Sequence, residues 1–201
     1  MIQSEGIFAM LFRCFLLAAC VCASVASAQE NLVQNGGFEQ WADAQPQAWS
    51  CSRKAGDGWE IAAVKPVEDA KEGRFAIELP NPETAGGLTI IGQDISATGV
   101  KPGGTVIMRL WGKADASGQL HLVVGFDRKG ERRKVRRVHS GSGQWEQVEW
   151  MFDLPENADP KSLRVEIMNK GGGKAPALVD QVELIFKELD AQFELPENAH
   201  E

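Results

Sequence analysis

Residues Asn31 to Trp41 read NLVQNGGFEQW. An apolar pair, Leu32-Val33, leads into a polar turn with Gly36 and Gly37, and then into Phe38-Glu39-Gln40-Trp41. No helical or strand period accounts for this order. Its meaning depends on what lies on either side.

Upstream, Arg13 is the one basic residue before the run Cys14-Phe-Leu-Leu-Ala-Ala-Cys-Val-Cys22, and Ala26-Ser27-Ala28 supplies the small residues of a cleavage site. A basic start, a short apolar run and A-x-A read as a secretory signal over residues 1–28. The run is too short to span a bilayer. Leu17-Ala-Ala-Cys20 allows a second reading, a lipobox that would leave a lipidated Cys20. Either way the expectation is export: secreted, periplasmic or held at the cell envelope.

With 1–28 removed, residues 29–201 suit one domain with a sizeable core. Cys51 is then the one cysteine of the mature chain, so no internal disulfide is available to it. A small buried apolar role for Cys51 is the expectation, with a reactive thiol as the alternative. A net charge of −7 argues against a general nucleic-acid binder.

Downstream, short segments of β-type pattern recur between Gly, Pro, Asn and Asp clusters: 59–64, 75–79, 88–95, 105–113, 119–126, 134–139, 144–154, 162–168 and 178–186. Nine such segments predict an all-β antiparallel sandwich or barrel. In 105–113, Val106, Met108 and Leu110 share one face, while Ile107, Arg109, Trp111 and Lys113 share the other. In 119–127, Leu120, Leu122, Val124 and Phe126 face inward, leaving His121 and Asp127 outside. Val148, Trp150, Phe152 and Leu154 form a further apolar row. Residues 188–201 are acidic, break the alternation and read as a solvated tail, with a partner-binding peptide as the alternative.

Set in this frame, NLVQNGGFEQW resembles the first strand of the galactose-binding-like jelly rolls, in particular carbohydrate-binding modules of families 4, 9 and 22. Five further blocks follow in that family's order: Trp49; Asp69 to Ile77 with Gly73 in its turn; Gln93-Asp-Ile95 and then Val100 to Ala114; Ser142 to Pro155 around Trp145; and Leu178-Val-Asp180-Gln-Val-Glu-Leu184. The resemblance implies a two-sheet jelly roll over 29–187. It also implies a structural Ca²⁺ held by the Glu39 and Asp180 carboxylates, with carbonyls near Lys71 and Gly73. Oxygen ligands of this kind suit calcium. Ordinary surface acids are the alternative reading of Glu39 and Asp180.

The family's carbohydrate stacks on aromatic rings beside hydrogen-bonding groups. Trp49 and Trp145 match core positions of the family, and Trp150 lies in an apolar row. Trp41, Trp59 and Trp111 remain as ligand candidates. Trp111 shares a strand face with Arg109 and Lys113, and His121 can lie on the next strand beside them, with a solvated edge histidine as the commoner alternative. The ligand set expected from sequence is therefore Trp111, Arg109, His121 and Trp59. Tyrosine, frequent in the family's clefts, is absent.

Asp127 to Arg137 holds seven basic residues across an expected hairpin turn at Lys129-Gly130. Arg132, Arg133 and Arg136 are its candidate anion contacts, for a sulfated or uronic polysaccharide or another polyanion. A solvated edge strand is the plainer reading.

A glycoside hydrolase needs two carboxylates aimed into one cleft. Glu146 and Glu149 fall on opposite strand faces, and His121, His139 and His200 stand in no catalytic motif. Together with the export signal, the resemblance implies a secreted, non-enzymatic binding module for a polysaccharide or glycan, neutral or anionic. The alternative is an extracellular structural or adhesion domain that binds a protein or a polyanionic surface.

Overall fold

In the computed structural model, residues 30–83, 86–95 and 98–188 are described; the expected signal segment, Cys20 and residues 189–201 of the tail lie outside them. Thirteen strands follow in chain order: β1 (Trp41–Ala42), β2 (Gln45–Pro46), β3 (Ser50–Ala55), β4 (Gly58–Ile61), β5 (Lys65–Val67), β6 (Ala76–Leu79), β7 (Leu88–Asp94), β8 (Thr105–Lys113), β9 (Leu120–Arg128), β10 (Glu131–Val138), β11 (Trp145–Asp153), β12 (Ala158–Asn169) and β13 (Ala177–Lys187). No helix occurs among the described residues. The expected antiparallel two-sheet sandwich is what forms.

One sheet has six strands in the order β10-β9-β12-β7-β3-β4, the other five in the order β11-β8-β13-β6-β5. The rows that alternate inward in sequence meet between them. Met108 and Leu110 from β8, Leu120, Leu122 and Val124 from β9, Trp150 from β11, and Leu163, Val165 and Ile167 from β12 are all buried in one cluster. Cys51 is buried there too, and burial pushes its thiol up to about 12, so it is an inert core residue.

Chain order and sheet order differ sharply. The connection from β8 to β9 crosses the sandwich, because β8 lies in the five-stranded sheet and β9 in the six-stranded one. The β9–β10 hairpin turns at Lys129-Gly130, both with positive φ (52° and 78°), as the basic stretch predicts.

The opening stretch now has a physical reading. Asn31 accepts the Leu184 and Val33 N–H groups on Oδ1 and donates from Nδ2 to Val182 O. The Leu32 N–H reaches Leu184 O, and the Val182 N–H reaches Gly36 O. Gln93 clamps Gln34 by donating to its carbonyl and accepting its N–H. Phe38 is fully buried, its ring 5.3 Å from that of Trp49. At Gly36 a Cβ would stand 2.1 Å from Val182 O, so only glycine fits. The segment sews the start of the domain to its last strand.

Candidate functional site

Two regions gather polar and aromatic side chains: a corner where Glu39 and the loop 68–75 meet Asp180 of β13, and the outer faces of the two sheets.

The corner is built by the loop 68–75, which crosses the end of the five-stranded sheet. Glu39 Oε1 accepts the Arg74 and Phe75 N–H groups at 2.7 and 3.0 Å. Asp180 Oδ2 accepts those of Lys71 and Glu72 at 2.8 and 3.0 Å, and its Oδ1 accepts that of Gln181 at 2.7 Å. A bulge makes this possible. Gln181 and Val182 together oppose Leu110 on β8, with Gln181 at φ 49°, which turns the buried Asp180 toward the loop. Gly73 has φ 70°, and a Cβ there would lie 2.2 Å from Glu39 Oε1. Burial raises the Asp180 pKa above the ordinary carboxylate range, and the charge of Glu39 adds to that, against the pull of the three N–H donors.

Among the described residues no Lys, Arg or His side chain pairs with either carboxylate. The Lys71 ammonium is directed elsewhere, 4.0 Å from the centre of the Trp111 ring. The carboxylate oxygens of Glu39 and Asp180 are of the hard type that a divalent cation takes, and three of the four already accept main-chain N–H groups. Among the described residues no cluster of three or more His, Cys, Asp or Glu side chains gathers, so a metal here would need main-chain oxygens or water to complete its shell.

On the outer face of the five-stranded sheet, Trp111, Arg109 and Lys113 do share one side of β8, as the alternation predicts. Each is already engaged. Lys71 lies over Trp111, Arg109 pairs with Glu183 and approaches Glu149 at 3.9 Å, and Lys113 pairs with Asp69 at 2.7 Å. Trp145 is not a core residue. It sits half-buried on this same outer face and donates its indole N–H to Asp69 Oδ1 at 3.1 Å. Glu146 and Glu149 fall on opposite faces of β11, opposite Gly112 and Arg109.

His121 and Trp59 lie on the other side of the molecule. The expectation that His121 stands beside Trp111 and Arg109 is corrected by the crossing from β8 to β9. On the outer face of the six-stranded sheet, cross-strand partners align Ile61, Ser52, Ile90, Met168, His121 and Val138 in one row over all six strands. Five gaps between strands make that row about 24 Å long. Trp59 adjoins its β4 end, opposite Lys54 and 57% exposed; Ile61 is 79% exposed. The next row, Ser50, Gly92, Glu166, Val123 and Arg136, is mostly polar. Gly92 and Gly125 leave room for the guanidinium groups of Arg164 and Arg132 to lie flat on the sheet.

The basic set divides. Arg132 reaches Asp127 and the Ser162 carbonyl on the outer face, and Arg133, on the opposite side of β10, pairs with Glu131. Arg136, on the outer face, has no acidic partner among the described residues. Sequence reasoning missed Ile90, Met168 and Arg164 as surface contributors. Their alternation was legible, but β3, the strand that brings Ile61 and Trp59 to the row, was not.

No family model matches the sequence, and no match was found among curated proteins. Solved structures do match. The xylan-binding domain CBM22-1 of Paenibacillus barcinonensis Xyn10C superposes with TM-score 0.56 at 15% identity, over 81% of this chain and 97% of that one. TmCBM61, solved in complex with β-1,4-galactotriose, superposes with TM-score 0.50 at 17% identity, over 79% and 99%. The fold is that of the carbohydrate-binding-module jelly rolls. The enzymatically active domain of bacteriophage CBA120 tailspike protein 4 also matches, with TM-score 0.62 at 15% identity and 78% of this chain, but this chain spans 21% of that protein. The modules are matched along nearly their whole length.

Proposed function

We propose that this chain is an exported, non-catalytic carbohydrate-binding module whose glycan lies across the outer face of the six-stranded sheet. The observation that carries the reading is the open row from Ile61 to Val138. It offers apolar contact for the CH faces of several sugar units, an exposed indole at one end and hydrogen-bonding side chains alongside. Arg164, Glu166, Ser50 and Lys54 supply the donors and acceptors that hydroxyls need. On the opposite face the indole itself is covered, because Lys71 lies over the Trp111 ring. The ligands of the matched modules, xylan and a galactotriose, point to the same class.

In the same reading, Glu39 and Asp180 hold Ca²⁺, with Lys71 and Gly73 contributing through the loop that runs between the two carboxylates. Its part is structural: it ties loop 68–75 and the first residues of the domain to β13. A polyanionic ligand is a second reading, favoured by Arg136 and by the open backbone edge of β10, which pairs on one side with β9.

A glycan-array screen of the full chain with added calcium tests the proposal. Binding to extended polysaccharide chains, with dissociation constants of about 10⁻⁶ to 10⁻⁴ M and so worth about 5–8 kcal/mol, is expected. A folded chain that binds no glycan on the array would overturn it.

A further inference from the structure

His121 is nine-tenths buried on an otherwise glycan-facing surface. Its Nε2 lies 3.0 Å from the Gly118 carbonyl, which can only accept, so Nε2 carries the proton of the neutral ring. Nδ1 then holds a bare lone pair, buried and without a hydrogen-bond partner among the described residues. Two cations stand one diagonal step away on either side: Arg136 on β10, opposite Val123, and Lys170, which follows Met168 by two residues on the β12 side. Neither has an acidic partner among the described residues. The other charged group facing His121 is Glu166 on β12, and it is already held by Lys134 at 2.8 Å and Arg164 at 3.4 Å. Val138 and Met168, directly opposite His121, are uncharged.

A buried imidazole between two unpaired cations is an unfavourable place for a proton. Burial, then the charges of Lys170 and Arg136, hold its pKa below the ordinary histidine value. An anion lying between Arg136 and Lys170 would reverse that balance. Its single negative charge would offset part of theirs and make a proton on Nδ1 less unfavourable, so that His121 gains charge as the anion binds.

We propose that the six-stranded face contains a proton-coupled subsite for the carboxylate of an acidic sugar, formed by Arg136 and Lys170 with His121 beneath them. This rests on the glycan reading above and names its substrate class: a uronic-acid polysaccharide. The uronate carboxylate stays ionised above about pH 5, so changes of binding between pH 5.5 and 7.5 report the protein. The proton enters with the ligand, so affinity rises as pH falls through that window.

The test is titration of the full chain with polygalacturonate, with its fully methyl-esterified form and with xylan, at fixed salt and at pH 5.5 and 7.5. Polygalacturonate is expected to bind more tightly at pH 5.5 by a factor of roughly 3–10, the worth of one added charge at close range. Its methyl ester and xylan are expected to show no such slope. His121→Gln should flatten the slope. Arg136→Gln and Lys170→Gln, both at exposed positions where folding is not at stake, should each weaken polygalacturonate binding by roughly tenfold and leave xylan unchanged. Equal binding of the acid and its ester overturns the subsite but leaves the glycan reading standing, as does a slope that survives in His121→Gln. Failure of all three polysaccharides to bind overturns the subsite, and failure of every glycan on the array overturns both.

Discussion

Asp180→Ala is expected to destabilise the fold by about 3–5 kcal/mol, because three main-chain N–H groups lose their acceptor at a buried position and each such loss costs about 1–3 kcal/mol. The affected donors are Lys71, Glu72 and Gln181, so the loop 68–75 and the β13 bulge loosen together. For a domain of this size the melting temperature should fall by roughly 10 °C. Calorimetry of wild type and variant, with calcium and with chelator, separates the two roles of this residue. In the wild type, calcium is expected to raise Tm by mass action; in the variant that response should vanish. The pH dependence has a definite sign. The folded pKa of Asp180 is raised, so ionising it costs the folded state: the proton-linked part of its contribution is present below the unfolded value of 3.8 and is lost as pH rises through the folded one, while its three N–H bonds remain. Chelated wild-type protein therefore loses this contribution on going from acid toward neutral pH, and the stabilisation by calcium grows over the same interval. A variant within about 1 kcal/mol of wild type, or one that keeps its calcium response, would contradict this account of the corner.

Phe38→Ala is the second large effect, about 3–5 kcal/mol, the usual cost of emptying a buried phenylalanine site. Phe38 has no exposed surface and tilts at 39° against Trp49, whose own indole N–H is fixed to the Asn35 carbonyl at 3.2 Å. Its backbone stands at φ 53°, a conformation that a bulky residue adopts only where its side chain is strongly anchored. Collapse around the cavity is hindered because Asn35 pins Gln40 and Gln47 on the other side of the turn. Denaturant unfolding should show a lower midpoint with an unchanged slope. A loss of under 1 kcal/mol would mean that the opening segment is not the anchor described here.

The sandwich was legible because its strands alternate: the inward rows of β8, β9 and β11 are the rows that pack. The corner was legible through NLVQNGGFEQW and the VDQVEL end, where Gly36, Gly73 and Asp180 answer to backbone approaches that few residues permit. What the sequence hid was the sheet to which each strand belongs. Alternation assigns a side chain to a face, but not to which of two outer faces, and so it set His121 beside Trp111 when the sandwich lies between them. Strand β3, SCSRKA, carries polar residues on both sides and shows no period, though it brings Trp59 and Ile61 next to β7. Trp145 reads as core by pattern, yet the Asp69 carboxylate offers its indole N–H a partner at the surface.

The central claim, that the six-stranded face carries the glycan, is tested most directly by isothermal titration of Trp59→Ala and Trp111→Ala with the best polysaccharide from the array. Trp59→Ala should weaken binding by roughly tenfold or more, the worth of one stacked ring, while Trp111→Ala should bind as wild type does. The reverse result, with Trp111→Ala losing the ligand and Trp59→Ala keeping it, would place the glycan on the five-stranded face and contradict the account.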